Sequence, residues 1–376
     1  MLRRGVVWVA ALAVGLLASA PEGAGASVVG DRSLPLGTPV AVRPLPAELR
    51  LAGTGAAWRV WYISTSWNGR RTVVSGTVSV PAGRAPVGGW RLVGFGPGFS
   101  GTPDACAASR VGTPPFARPF GEALLAAGYA VAVTDYEGIG TPGEGSGVDG
   151  RAEAHALIDS VRAARRIAPV SRSWAAVGYS LGGHAALWAG SHAASYAPEL
   201  RHLGTVALAP TTQWALLFSA IRDPAGPLNP TLPYIGRSLP VTNPGKFRAE
   251  DWFTPRGLEL VALAGHACIE ELAAAVAGVT YGDAFLDPPA AAATFTALFA
   301  DDEVPVARYP KPVRLAHGTA DALPAVLTEV TANQLTAVGT DVTYTPVAGA
   351  DHLTVLATIA PQVLTWLEEM FTTPRR

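Results

Sequence analysis

The chain has 376 residues, 49% of them hydrophobic and 15% charged, with a formal net charge of -1 at neutral pH. That length suits one large domain or a domain with an insertion, and the sparse, balanced charge gives no electrostatic footprint for nucleic acid. Two cysteines, Cys106 and Cys268, and no C-x-x-C pattern argue against a cysteine-held metal.

The N-terminus reads as an export signal. Arg3 and Arg4 form a basic n-region, residues 6–18 are apolar, and Ala24-Gly25-Ala26 fits a small-residue cleavage site. The apolar run is short for a membrane span. We therefore expect residues 1–26 to be a signal peptide and the product to be secreted. In an exported protein an even cysteine count suggests one disulfide, the alternative being two buried free thiols.

Residues 34–46 are proline-rich and lack periodicity. The runs WRVWYISTS and TVVSGTVSV then predict antiparallel strands around Asn68-Gly69. From there strand and helix alternate. Strands are expected at Trp90–Gly96, 129–136, 173–179 and 203–210, and helices at 120–128, 151–167 and Leu181–Tyr196. Within 151–167, Ala154, Leu157, Ile158, Val161 and Ala164 recur at helical spacing. Residues 211–305 read as helices and proline-containing loops without a clear strand. Alternation resumes with a strand in 312–321, a helix over 325–338, a strand in 341–352 and a helix over 354–371.

This order predicts an α/β fold with a mostly parallel central sheet and helices on both faces. The expected core comprises residues 27–210 and 306–376. Residues 211–305 are the expected helical cap over the carboxyl edge of the sheet.

Gly178-Tyr179-Ser180-Leu181-Gly182 has the spacing G-x-S-x-G. The pattern marks a nucleophile elbow only where a strand enters and a helix leaves. Here WAAV enters and HAALWAG leaves, so Ser180 is the candidate nucleophile. A serine needs a base, and the base needs an orienting acid; in this fold they follow in the order Ser, acid, His. Of seven histidines, His155, His184, His192 and His202 fall on helices or before a strand and are expected to pack or face solvent. His266 lies in the cap, and His317 precedes the acid. His352, in GADHLTVL, follows the last strand and is the candidate base. Asp321, in LAHGTADAL, ends the preceding strand and is the candidate acid, with Asp302 and Asp351 as alternatives. Asp301, Asp302 and Glu303 together read as a solvated loop.

An oxyanion hole needs two backbone N–H groups. One is expected from Leu181, after the nucleophile, and the other from the loop after WRLVGFG, near Phe99 or Ser100. Gly94-x-Gly96-x-Gly98 is interrupted by Pro97 and has no helix after it, and GTPGEGSG lacks a Lys-Ser/Thr, so neither reads as a phosphate loop. No cofactor or metal is expected.

TDYEGIGTPG, GYSLGG, DACAASR, HGTAD and DH together resemble the secretory lipase family of α/β-hydrolases, which holds fungal lipase A-type enzymes and many actinobacterial secreted lipases. The resemblance spans residue 64 to the C-terminus. It implies that Ser180, Asp321 and His352 form a triad, and that a Cys106–Cys268 bridge ties the oxyanion loop to the cap. The sequence departs from the family twice. Pro97-Gly98-Phe99-Ser100-Gly101 replaces a His-Gly-Thr-Thr-Gly-like run, and Leu181 replaces an elbow glutamine.

The expected activity is hydrolysis of lipid-like carboxylic esters. The expected partner is a small-molecule or lipid ester, with a lipid–water interface as one place to meet it, and no nucleic acid or obligate protein partner is expected. Acyl transfer to an alcohol, short-chain esterase activity, peptidase activity and non-catalytic binding are the alternatives.

Overall fold

The computed structural model describes residues 34–373. The signal-peptide reading of residues 1–26 lies outside the described residues. Nine strands form one sheet: β1 (Pro39–Pro44), β2 (Thr54–Thr65), β3 (Arg71–Pro81), β4 (Trp90–Gly96), β5 (Tyr129–Thr134), β6 (Val170–Tyr179), β7 (Arg201–Leu208), β8 (Val313–Gly318) and β9 (Val342–Val347). Their spatial order is β1-β2-β3-β5-β4-β6-β7-β8-β9. Pairing is antiparallel from β1 to β5 and parallel from β5 to β9. This is the mostly parallel sheet expected from the alternation.

Strand β1 was not expected, because Pro39 and Pro44 bracket it and mask its pattern. It lies at the sheet edge against β2, where proline's missing N–H can face away from the ladder. The β2–β3 hairpin pairs Thr65 with Arg71, and its loop turns at Gly69, at φ +77°.

The helices are α1 (Ala108–Val111), α2 (Arg118–Ala126), α3 (Gly150–Ile167), α4 (Leu181–Tyr196), α5 (Trp214–Ser219), α6 (Leu232–Thr242), α7 (Pro255–Leu263), α8 (Ile269–Ala275), α9 (Tyr281–Ala284), α10 (Pro288–Leu298), α11 (Ala325–Ala337) and α12 (Val355–Thr372). Strand residues alternate between two cores, as the period-2 geometry of a strand requires. On β4, Leu92 faces the cluster that holds Ala154, Leu157, Ile158 and Val161 of α3 and Ala185 and Trp188 of α4. Val93 faces the opposite cluster, with Phe120 and Leu124 of α2 and Leu356, Val363 and Leu367 of α12. Helix α11 joins the α4 side through Ala332 and Leu335, which pack with Leu187 and Leu315. Burial on both faces explains why the parallel strands read as continuous apolar runs.

Between β7 and β8 lie α5 to α10, with a core of their own. Trp214, Phe218, Phe253, Phe285, Phe295 and Phe299 are buried in it, while Leu217, Trp252 and Leu298 pack partly buried and Leu216 is exposed. Most of the large apolar groups of this segment therefore hold the helical block together. Among the described residues, no helix is long and apolar enough to cross a membrane.

Cys106 and Cys268 form a disulfide that joins the loop after β4 to the start of α8. The bridge closes a loop across a sequence separation of 162. Restricting so long a loop in the unfolded chain is expected to stabilise the protein by roughly 2–5 kcal/mol. The double substitution Cys106→Ser with Cys268→Ser should lower unfolding free energy in urea by that amount. An unchanged urea midpoint would count against this role.

Candidate active site

Strand β6 ends at Tyr179 and α4 begins at Leu181, leaving Ser180 alone in the turn. Its φ is +56° and ψ is -121°, a left-handed conformation that is costly for a residue with a side chain. The turn is possible because its neighbours are glycines. A Cβ on Gly178 would stand 1.7 Å from the Gly182 carbonyl oxygen, and one on Gly182 would stand 1.8 Å from that of Gly96. The backbone holds the strained residue on both sides. Ser180 N–H donates to the Leu208 carbonyl at 2.9 Å, and the Ser180 carbonyl accepts from Gly183, His184 and Thr211. Ala209 and Gln213, just after β7, also have positive φ. Backbone strain is thus concentrated at the carboxyl edge of the sheet, a usual place for reactive sites.

The structure brings Ser180, His352 and Asp321 together. Ser180 Oγ lies 3.0 Å from His352 Nε2, and His352 Nδ1 lies 2.7 Å from Asp321 Oδ2. Asp321 is in the turn after β8, and its other oxygen accepts the Leu323 N–H at 2.8 Å. His352 sits between β9 and α12. The two loops are laced together, with Thr319 N–H donating to the Val347 carbonyl and Ala320 N–H to that of Ala350.

Tyr179, beside Ser180, also holds the histidine. Its hydroxyl donates to the His352 carbonyl at 2.7 Å, and the two rings lie 5.0 Å apart. Burial, with the charges of Asp321 and Asp351, raises the phenol pKa and keeps it a donor. Nothing in the G-x-S-x-G pattern marks that role.

Asp351 does not reach the imidazole. It is exposed and turned toward the start of α12, accepting from Leu353 and Thr354. Asp302 is not brought to His352 either, and the segment around it departs from the solvated loop expected. Asp301 is exposed, but Asp302 accepts the Gly150 N–H at 3.1 Å and Glu303 that of Ala215 at 3.1 Å. Burial and the nearby Asp149 charge push the Asp302 carboxyl up to about 7. Its carbonyl accepts from His184 and Trp214, so it fastens the helical block to α4. Residue charge suggested solvent here; unsatisfied donors on α3, α4 and α5 drew the segment inward instead.

The other histidines pack, except His266, which is exposed. His155 stacks on Tyr196 and His192 on Trp188, and burial lowers His155 and His202 to about 4. His184 is fully buried, with Nδ1 2.8 Å from Glu153 Oε2.

Leu181 heads α4, where first-turn N–H groups have no carbonyl partner within the helix and the helix dipole favours an anion. The loop after β4 runs alongside. A Cβ on Gly98 would lie 3.0 Å from the Tyr179 ring and 3.5 Å from Ser180 Cβ. Phe99 follows, its ring edge-on to Tyr234 at 4.8 Å. Ser100 presents its carbonyl to the Ile269 N–H at 3.0 Å. Thr102 donates to the Ala264 carbonyl, so the loop is clamped to the helical block beside its disulfide. In the GTPGEGSG segment, Pro142, Gly143 and Glu144 are exposed. Among the described residues, no group of three or more His, Cys, Asp or Glu is placed to hold a metal ion.

The Asp321 side chain is fully shielded. Burial alone would raise its pKa, but hydrogen bonds from His317 and His352 outweigh it and bring it down to about 2. With an unfolded value near 3.9, this group stabilises the fold above about pH 4 and ceases to do so as pH falls through about 2. The stability gap between the wild type and Asp321→Asn should therefore be widest above about pH 4 and close by about 2 kcal/mol toward pH 2. Urea unfolding across that range checks it, and a constant gap would contradict it.

Comparison with known proteins agrees with this architecture. The family model described as secretory lipase matches residues 120–226. A Mycobacterium tuberculosis protein named "Probable inactive lipase" is 29% identical over 264 residues, 66% of this chain. The match spans 56% of that protein's length. The closed-state structure of Candida antarctica lipase A superposes with a TM-score of 0.74 at 21% identity, covering 93% of this chain and 85% of that one. A rice cell wall degrading esterase of Xanthomonas oryzae gives 0.73 at 16% identity, covering 89% and 100%. The secretory-lipase resemblance carried by the motifs is borne out, and the fold is that of the lipase and esterase α/β-hydrolases.

Proposed function

We propose that the chain is a secreted serine ester hydrolase that cleaves lipid-like carboxylic esters through an acyl-enzyme. The observation that carries this reading is the unbroken hydrogen-bonded line from Ser180 Oγ through the His352 ring to Asp321, starting at a strained elbow. His352 Nε2 takes the Ser180 proton as Oγ attacks the ester carbonyl carbon. Asp321 holds the Nδ1–H tautomer and stabilises the imidazolium. The carbonyl oxygen becomes an oxyanion facing the Leu181 N–H and a second N–H from the Phe99–Ser100 stretch. Loss of one such donor costs on the order of 10²–10³ in turnover. The imidazolium returns its proton to the departing alkoxide, and water then attacks the acyl-enzyme by the reverse path.

Secretion is supported by the basic and apolar N-terminal pattern, by the family resemblance and by the disulfide, which suits an oxidising compartment. A lipid-like substrate is supported by Phe99 and Leu217, which pack partly buried against the helical block, and by Leu353, beside the base in sequence and 53% exposed. The Candida relative is named a lipase and the Xanthomonas one an esterase.

The name of the mycobacterial relative favours one rival, a non-catalytic protein on the same fold. Rates on p-nitrophenyl esters from acetate to long chains decide between them. The hydrolase reading expects turnover that extends beyond acetate and falls by roughly 10³- to 10⁶-fold in Ser180→Ala. Activity on acetate alone would make this a short-chain esterase. A wild type as inert as Ser180→Ala would favour the non-catalytic rival.

A further inference from the structure

The Asp321 carboxylate faces a second imidazole that the proposed chemistry does not use. His317, the penultimate residue of β8, is fully buried, and its Nε2 lies 3.2 Å from Asp321 Oδ2 and 2.9 Å from the Leu323 carbonyl oxygen. Both neighbours of Nε2 can only accept, the first while ionised, so Nε2 carries the proton. Nδ1 lies 2.6 Å from the hydroxyl of Thr328 on α11, itself fully buried, which donates to it when the ring is neutral. The tautomer of His317 is therefore fixed from both ends.

Asp321 Oδ2 has two lone pairs to offer. One accepts His352 Nδ1–H, and His317 Nε2 lies against the same oxygen at 3.2 Å while its proton goes to the Leu323 carbonyl. Oδ1 accepts the Leu323 N–H. His317 thus fastens the residue whose N–H holds one carboxylate oxygen and itself borders the other, which aims the carboxylate at His352.

Resting on the ester-hydrolase reading, we propose that His317 is a positioning residue, holding Asp321 in line with His352 without touching the substrate. The depressed Asp321 pKa agrees with a donor at this place. His317 and His352 are the titratable groups in contact with Asp321, while Asp351 and Tyr179 feel its charge from farther off. By fastening the Leu323 carbonyl and bordering Oδ2, His317 sets the direction of the carboxylate that His352 Nδ1–H meets.

The test compares His317→Leu, which removes the donor, with His317→Gln, whose amide nitrogen can take the place of Nε2. Thr328→Val provides a milder variant that loosens the tautomer should the leucine variant fail to fold. The assays are kcat and KM on a soluble short-chain p-nitrophenyl ester and the downfield proton NMR signal of His352 Nδ1–H. In His317→Leu we expect kcat to fall about 10- to 100-fold with KM nearly unchanged, and the NMR signal to shift. Glutamine should restore most of both, and Thr328→Val should lower kcat a few-fold and shift the NMR signal. A folded His317→Leu with unchanged kcat and NMR signal would overturn the proposal, as would equal losses in the leucine and glutamine variants. If neither can be purified folded, an unmoved signal in Thr328→Val would overturn it. A wild type that hydrolyses no ester would instead defeat the functional reading, and the NMR signal would still report whether His317 orders the pair.

Discussion

A serine at φ +56° between a buried strand and a buried helix is an expensive object. About 1–3 kcal/mol of strain must be supported by the surroundings, and the surroundings here are built for it. The chain crosses itself so closely at Gly178, Gly182 and Gly96 that no side chain fits between the passes. In exchange, Oγ stands clear at the carboxyl edge of the sheet, above the first turn of α4. His352 meets Oγ from the loop after β9, and the loop after β4 runs beside the elbow, where Gly98 approaches Ser180.

His352 and Asp321 reach that point because β8 and β9 are neighbours and their loops share backbone hydrogen bonds. The β4 loop is held differently. It has little regular structure, so its position depends on the helical block: the disulfide, the Thr102 bond to Ala264, the Ile269 bond to Ser100 and the Phe99–Tyr234 contact. The block is in turn fastened to α4 by the Asp302 carbonyl. A single mechanical circuit therefore runs from α4 through the helical block and back to the loop after β4.

Much of this was legible in the sequence because it follows from local rules. Alternating apolar runs and helical periodicities located the parallel strands and α2, α3, α4, α11 and α12, since each segment buries a face with its own period; the four-residue α1 is too short to show one. The elbow could be read because its glycines are demanded by close approach, and Asp321 and His352 because chain order places them at adjacent strand ends. What escaped depends on distant partners. Pro39 and Pro44 disguise an edge strand whose existence is decided by β2. Asp302 carries the composition of a solvated loop but meets N–H groups and a histidine far away in sequence. Chain order argues against His317, which precedes Asp321; its position four residues before Asp321, across a tight turn, is the signal that points to it. Tyr179 fills an unspecified place in the motif and gains its meaning only from the fold.

The central claim is that Ser180 is an activated nucleophile rather than a strained relic of a lipase fold. The most direct measurement is covalent capture: reaction of the wild-type protein with an organophosphonate ester, followed by peptide mapping by mass spectrometry. One stoichiometric adduct is expected, on Ser180, formed far more slowly when His352 is replaced by alanine. An unlabelled Ser180, or an adduct on another residue that persists in Ser180→Ala, would contradict it.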